Sequence, residues 1–150
     1  MLTHTYSLYS CRKQHQIYKD FLQAKINNNA AYFEKISYLI NQFIREHQLH
    51  YPILYIYGKA TPYLLMHTKQ PKFPISKFSP LPYKTLDLEN RYKYTRLYLP
   101  SQTIAVLPTL STFILFDDII VSGNTINMAI HQIYPKPHQH IIVLSYLTLR

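Results

Sequence analysis

Thr112-Phe113-Ile114-Leu115-Phe116-Asp117-Asp118-Ile119-Ile120-Val121-Ser122-Gly123-Asn124-Thr125 is the stretch from which the rest of this 150-residue chain is read. It opens with continuous apolar and β-favouring residues, the pattern of a strand buried on both faces of a parallel sheet. Two adjacent carboxylates follow where that strand should end, in a chain with seven acidic residues against sixteen Lys and Arg. Ser-Gly-Asn-Thr comes next, and Ile126 to Tyr134 is helix-compatible. The order is strand, acidic pair, tight loop, helix start.

Such a loop has a definite chemistry. A glycine lets the backbone turn tightly and approach a ligand, and the N–H groups of the first helical turn face outward. With the hydroxyls of Ser122 and Thr125, those donors suit a monophosphate. Asp117 and Asp118, one sugar's width away, are placed to accept hydrogen bonds from ribose hydroxyls. A sugar phosphate is the expected guest. The ordinary alternative is a buried strand, a solvated Asp-Asp turn and a plain helix cap. The functional reading is favoured because the chain has two glycines, Gly58 and Gly123, and each comes at or soon after the end of an apolar strand run.

The length fits one domain, 1–150, with a core that needs no metal or disulfide support. Cys11 is the lone cysteine, so there is no intramolecular disulfide and no multi-Cys zinc site. The opening residues Met1–Ser7 have no basic region or long apolar run, and no later segment reaches membrane-spanning length. The expected location is cytoplasmic, without membrane insertion. A formal charge of +9 favours anionic partners, nucleic acid or polyphosphate among them. Charge alone does not separate these, and the many Lys, Asn, Ile and Tyr also fit an AT-rich genome.

Along the chain, Tyr6–Tyr9 alternates as a short opening strand. Arg12 to Ile26 has helical spacing at Ile17, Phe21, Leu22 and Ile26. Asn29 is expected to cap a second helix whose apolar face is Phe33, Ile36, Ile40, Phe43 and Ile44. Residues 1–50 thus form an N-terminal strand and helical part, and 51–150 the core. Ile53–Tyr57 reads as a second buried strand, followed by Gly58-Lys59-Ala60-Thr61-Pro62 and a helix from Tyr63 to His67. If the sheet is doubly wound, the Gly58 and Asp117 loops share one crevice at the strands' carboxyl ends; a plain strand-to-helix turn at Gly58 is the equal alternative. Residues 70–100 hold Pro71, Pro74, Pro80 and Pro82, then Lys84, Arg91, Lys93 and Arg96, and read as a mobile basic loop. Interleaved Tyr83, Tyr92, Tyr94 and Tyr98 match what single-stranded nucleic acid needs, stacking plus phosphate neutralisation. A solvated loop with tyrosines lying on the core is the competing reading. Thr103–Leu107 and His140–Leu147 read as further strands, and His138 with His140 as a surface turn rather than a metal site.

The deciding stretch also resembles the phosphoribosyl-pyrophosphate (PRPP) signature of type I phosphoribosyltransferases: four apolar residues, Asp117-Asp118, three residues, then Ser122-Gly123-Asn124-Thr125. Over the whole chain the likeness is to the ComF (ComFC) branch, linked to natural transformation. The features that match are the Tyr6–Tyr9 opening, a helix ending near Lys25, the element Leu86-Asp87-Leu88-Glu89-Asn90-Arg91, and a last strand finishing at Leu149-Arg150. The resemblance implies an α/β fold with a mainly parallel sheet flanked by helices. It implies PRPP bound by Asp117, Asp118, Ser122, Gly123, Asn124 and Thr125, with the two aspartates as the catalytic pair. Gly58, Lys59 and Arg91 would face the pyrophosphate, and Mg²⁺ would arrive on the ligand with no dedicated metal site in the protein. The implied partners are single-stranded DNA and other DNA-uptake proteins, with phosphoribosyl transfer as the reaction if turnover occurs.

The chain departs from the family in three places. It lacks the four-Cys zinc ribbon of many ComF proteins, and Tyr57-Gly58-Lys59-Ala60 lacks the usual forms of the first loop. Val121 stands where 6-oxopurine salvage enzymes carry an acidic base, which ranks nucleobase salvage last. A non-catalytic PRPP sensor or single-stranded-DNA module is the alternative.

Overall fold

The deciding stretch forms the middle of a six-stranded sheet in the computed structural model, which describes residues 2–78 and 96–150, with side chains from His4 onward. The strands are β1 (Leu2–Cys11), β2 (Ile53–Ile56), β3 (Lys72–Phe78), β4 (Arg96–Tyr98), β5 (Thr112–Ile120) and β6 (His140–Leu149). The helices are α1 (Gln16–Ile26), α2 (Ala30–Glu46), α3 (Thr61–Leu64), α4 (Ser101–Val106) and α5 (Asn124–Ile133), with a 3₁₀ turn at Leu107–Thr109. The sheet order is β1-β6-β5-β2-β3-β4. The first five run parallel, and β4 pairs antiparallel with β3 at the edge. The protein is therefore an α/β fold with a mainly parallel sheet flanked by helices. Its N-terminal part joins the core directly, since β1 is an edge strand of that sheet.

Side chains that alternate along a strand point to opposite faces, and here both faces are covered. Ile53 of β2, Ile114 and Phe116 of β5, and Ile142 and Leu144 of β6 pack with α1, α2 and α3. Leu54, Ile56, Phe113, Leu115, Ile141 and Val143 pack on the other side, under Ile126, Ala129 and Ile133 of α5. This is why the central strands read as unbroken apolar runs. α2 is capped as expected: the Asn29 side chain accepts from the Tyr32 N–H at 3.1 Å, and Phe33, Ile36, Ile40 and Ile44 are buried.

Several elements differ from the sequence reading. Thr103–Leu107 is not a strand but the end of α4 and the start of the 3₁₀ turn. Thr103 and Leu107, four apart, are both buried while Ile104 is exposed, so the helical period wins over β-branched propensity. The Thr103 hydroxyl donates to the Pro74 carbonyl at 2.7 Å, which ties α4 to β3.

The proline-rich start of 70–100 is not all loop, because Lys72–Phe78 is β3, with Ile75 fully buried. Pro74 is tolerated by alternation. Pro71 and Ile75 present their carbonyls to the Ile53 and Tyr57 N–H groups, so Pro74 faces the opposite edge and no ladder donor is lost. The remainder of that loop, including Tyr83, Lys84, the Leu86–Arg91 element, Tyr92, Lys93 and Tyr94, lies outside the described residues. The opening strand is longer than Tyr6–Tyr9, because β6 gives Leu2–Cys11 a full-length partner. Among the described residues no helix is long and apolar enough to cross a membrane.

Candidate functional site

The chain connectivity creates a topological switch point. From β2 it passes through α3 to β3 on one side, and from β5 it passes through α5 to β6 on the other. β2 and β5 are neighbours, paired Ile53 to Ile114 through Tyr55 to Phe116. The order therefore reverses between them, the switch point at which open α/β sheets bind ligands. Extending that register sets Tyr57 opposite Asp118. The Gly58 loop and the acidic pair thus lie on adjacent strands at the same end of the sheet.

The carboxylates do not end the strand as expected from sequence, because β5 continues to Ile120. Asp117 is buried at 9% exposure, directly after the fully buried Phe113–Phe116. Its Oδ1 accepts from the Asp118 N–H at 2.9 Å, and Asp118 Oδ1 accepts from the Ile119 N–H at 2.8 Å. The second oxygen of Asp118 receives the Lys25 ammonium, with Nζ to Oδ2 at 2.8 Å. Lys25 comes from the last turn of α1, beside the buried Phe21 and Ala24.

These contacts set the ionisation of the group. Burial and then the neighbouring Asp118 push the Asp117 carboxyl well above the usual carboxylate range, while Lys77 pulls the other way. Burial works against the charge of Lys25, but Asp118 and then Asp117 outweigh it and raise its pKa. Two adjacent carboxylates are thus made unequal: Asp118 is paired with an ammonium, and Asp117 is shifted toward its neutral form. A carboxyl shifted toward neutral beside a cation-paired one provides both a donor and acceptors, a set suited to vicinal hydroxyls.

After β5 the chain turns through Val121, Ser122 and Gly123 into α5. Gly123 has φ 80° and ψ 0°, the left-handed conformation, and occupies the cap position without a side-chain acceptor. Gly123 itself offers no side chain to the first-turn donors, one of which, the Asn124 N–H, is taken by its neighbour Ser122. Ser122 Oγ accepts from the Asn124 N–H at 3.3 Å. Ser122 and Asn124 are exposed and Thr125 is half-buried.

Gly58 behaves otherwise. Its φ is not left-handed, and a Cβ there would meet Thr61 Oγ1 at 3.4 Å, an ordinary contact, so the backbone does not require glycine at that position. Lys59 is exposed on the loop. Arg91 lies outside the described residues. The structure thus places Asp117 and Asp118 near the end of β5, Ser122, Gly123, Asn124 and Thr125 in the turn and helix start directly after it, and Gly58 and Lys59 directly after the neighbouring strand β2.

Two cations at this site were not among the sequence candidates. Lys77 belongs to the part of 70–100 read as loop. Lys25, 93 residues from Asp118, enters the sequence reading only through the family likeness, as a matching lysine near a helix end, with no site role. Among the described residues no group of three or more His, Cys, Asp or Glu could hold a metal, and His138 and His140 are exposed.

No protein-family model and no curated protein matches the sequence. Among solved structures it is similar to a hypothetical protein from Neisseria gonorrhoeae determined with bound ppGpp. The TM-score is 0.45 and the identity 9%, over 79% of this chain and 82% of that one, a likeness too slight to bear on fold or ligand.

Proposed function

We propose that this chain is a PRPP-binding protein of the type I phosphoribosyltransferase kind, similar to ComF, acting in the cytoplasm in DNA uptake for natural transformation. One arrangement supports the reading above the rest: a carboxylate pair and a glycine-turned helix start on β5, adjacent at the switch point to the loop after β2. Asp118, paired with Lys25, and Asp117, shifted toward neutral, accept from and donate to the ribose hydroxyls. The loop Ser122–Thr125 receives the 5′-phosphate on backbone donors and hydroxyls. The pyrophosphate then lies toward Gly58 and Lys59, with Arg91 assigned to the same side on the family resemblance alone.

Mg²⁺ fits this scheme as a companion of the ligand. Its preference for phosphate oxygens and retained water needs no protein cage, and bound there it would neutralise the leaving pyrophosphate. This chain's own part in any transfer is to orient the sugar and stabilise charge.

A second reading, a PRPP sensor or single-stranded-DNA module without turnover, is favoured by Val121. This residue is 49% exposed in the turn after β5, at the position where, on the family likeness, a 6-oxopurine salvage enzyme carries an acid. The test is calorimetric titration of PRPP with Mg²⁺ into wild type and into Asp117→Asn/Asp118→Asn. Binding by wild type that the double variant loses supports the site; absence of binding by wild type refutes it. Pyrophosphate release with a nucleobase then argues for the enzyme. Salt-sensitive binding of single-stranded DNA that survives loss of both aspartates argues for the module.

A further inference from the structure

We propose that Lys25 is a positioning residue of this site: from the last turn of α1 its ammonium fixes the Asp118 carboxylate and cancels a negative charge facing a polyanionic sugar phosphate. The inference rests on the PRPP reading above and assigns a role to a residue outside the β5 stretch.

The geometry carries it. Asp118 is gripped at both oxygens, by the Ile119 N–H at 2.8 Å and by Lys25 Nζ at 2.8 Å. Its carboxylate plane is therefore set, and each oxygen keeps a lone pair for a hydroxyl donor. The ammonium is delivered by a packed element rather than a loop: Phe21 and Ala24 on the same helix are buried, and Nζ lies 5.8 Å from the Phe21 ring centroid.

The charge argument points the same way. A ligand carrying phosphate and pyrophosphate meets two adjacent carboxylates at the switch point, and bare they would repel it. Burial inclines Asp117 toward its neutral form. Asp118 has the Lys25 ammonium at 2.8 Å as its counter-cation. The Lys25 side chain is 39% exposed, and pairs so open to solvent contribute little to stability. The principal consequence of the pair is thus the field and orientation that a ligand encounters.

The test is calorimetric titration of PRPP with Mg²⁺ into wild type, Lys25→Met, Lys25→Arg, Asp118→Asn and the double variant Lys25→Met/Asp118→Asn. Lys25→Met is expected to weaken binding about tenfold or more. Lys25→Arg, whose guanidinium can still engage Asp118, should stay within about threefold of wild type. In the Asp118→Asn background, removing Lys25 should cost no more than about twofold, because its action passes through that carboxylate.

Wild-type binding with Lys25→Met unaffected overturns the inference and leaves the PRPP reading standing. A full additive loss in the double variant also overturns it, making Lys25 a direct phosphate contact. A tenfold loss in Lys25→Arg overturns it even if Lys25→Met fails to fold. No binding by wild type removes the PRPP reading and this inference together.

Discussion

Substituting each of the chain's two glycines by alanine should move stability in opposite directions. Gly123 sits at φ 80° with nothing within 4 Å of the place a Cβ would take. An alanine there meets no neighbour, so its whole cost is the left-handed backbone, about 1–2 kcal/mol. Gly58 has no left-handed φ, and its added Cβ would rest 3.4 Å from Thr61 Oγ1. Alanine at such a position stabilises by about 0.4–1 kcal/mol, mainly by restricting the unfolded chain. The two variants should therefore differ by about 1.5–3 kcal/mol. For a chain of this length each kcal/mol moves Tm by about 2–4 °C, so their melting points should separate by about 3–12 °C with wild type between them. Differential scanning calorimetry at neutral pH, with urea denaturation as a second measure, reads this directly. Gly123→Asn adds a control, because asparagine tolerates the left-handed region and should lose less than alanine. A neutral Gly123→Ala, or a Gly58→Ala that loses as much, would refute the argument that one glycine serves backbone geometry and the other does not.

Asp117→Asn should stabilise the protein at pH 7 and do so less as the pH falls. A carboxyl whose folded pKa is raised contributes most below its unfolded value, near 3.8, and that contribution is lost as pH rises through the folded value. Urea melts of wild type and variant at pH 3.5 and pH 7 check the sign, and a gap independent of pH would contradict it. Lys25→Met should destabilise by about 1 kcal/mol or less at low salt, shrinking in 1 M NaCl, as expected for a partly exposed pair. The Lys25 contribution persists across neutral pH, because a raised lysine pKa removes it only at alkaline pH, above about 10.5. Thr103→Val should cost about 1–2 kcal/mol by leaving the Pro74 carbonyl without its hydroxyl donor. A loss under about 0.3 kcal/mol there would mean that solvent reaches the carbonyl.

What could be read in advance was what neighbouring residues decide among themselves. The buried strands around Ile53 and Phe113, the Asn29 cap and the apolar face of α2 depend on periodicity and on a side chain a few residues from its partner. The turn at Gly123 belongs with them, since a left-handed residue must be matched where it stands. Other features needed partners that the sequence does not place nearby. Ser101–Val106 became a helix because Thr103 and Leu107 have a surface to pack on and Pro74 offers a carbonyl. Lys72–Phe78 became a strand because β2 uses the carbonyls on one edge and leaves Pro74 on the other.

The order of the strands decided which loops follow adjacent strands, and the packing of α1 on the sheet decided that Lys25 meets Asp118. Local propensity is written in adjacent residues. The inequality of the two carboxylates comes from burial and from a cation 93 positions away, and only the folded chain supplies those.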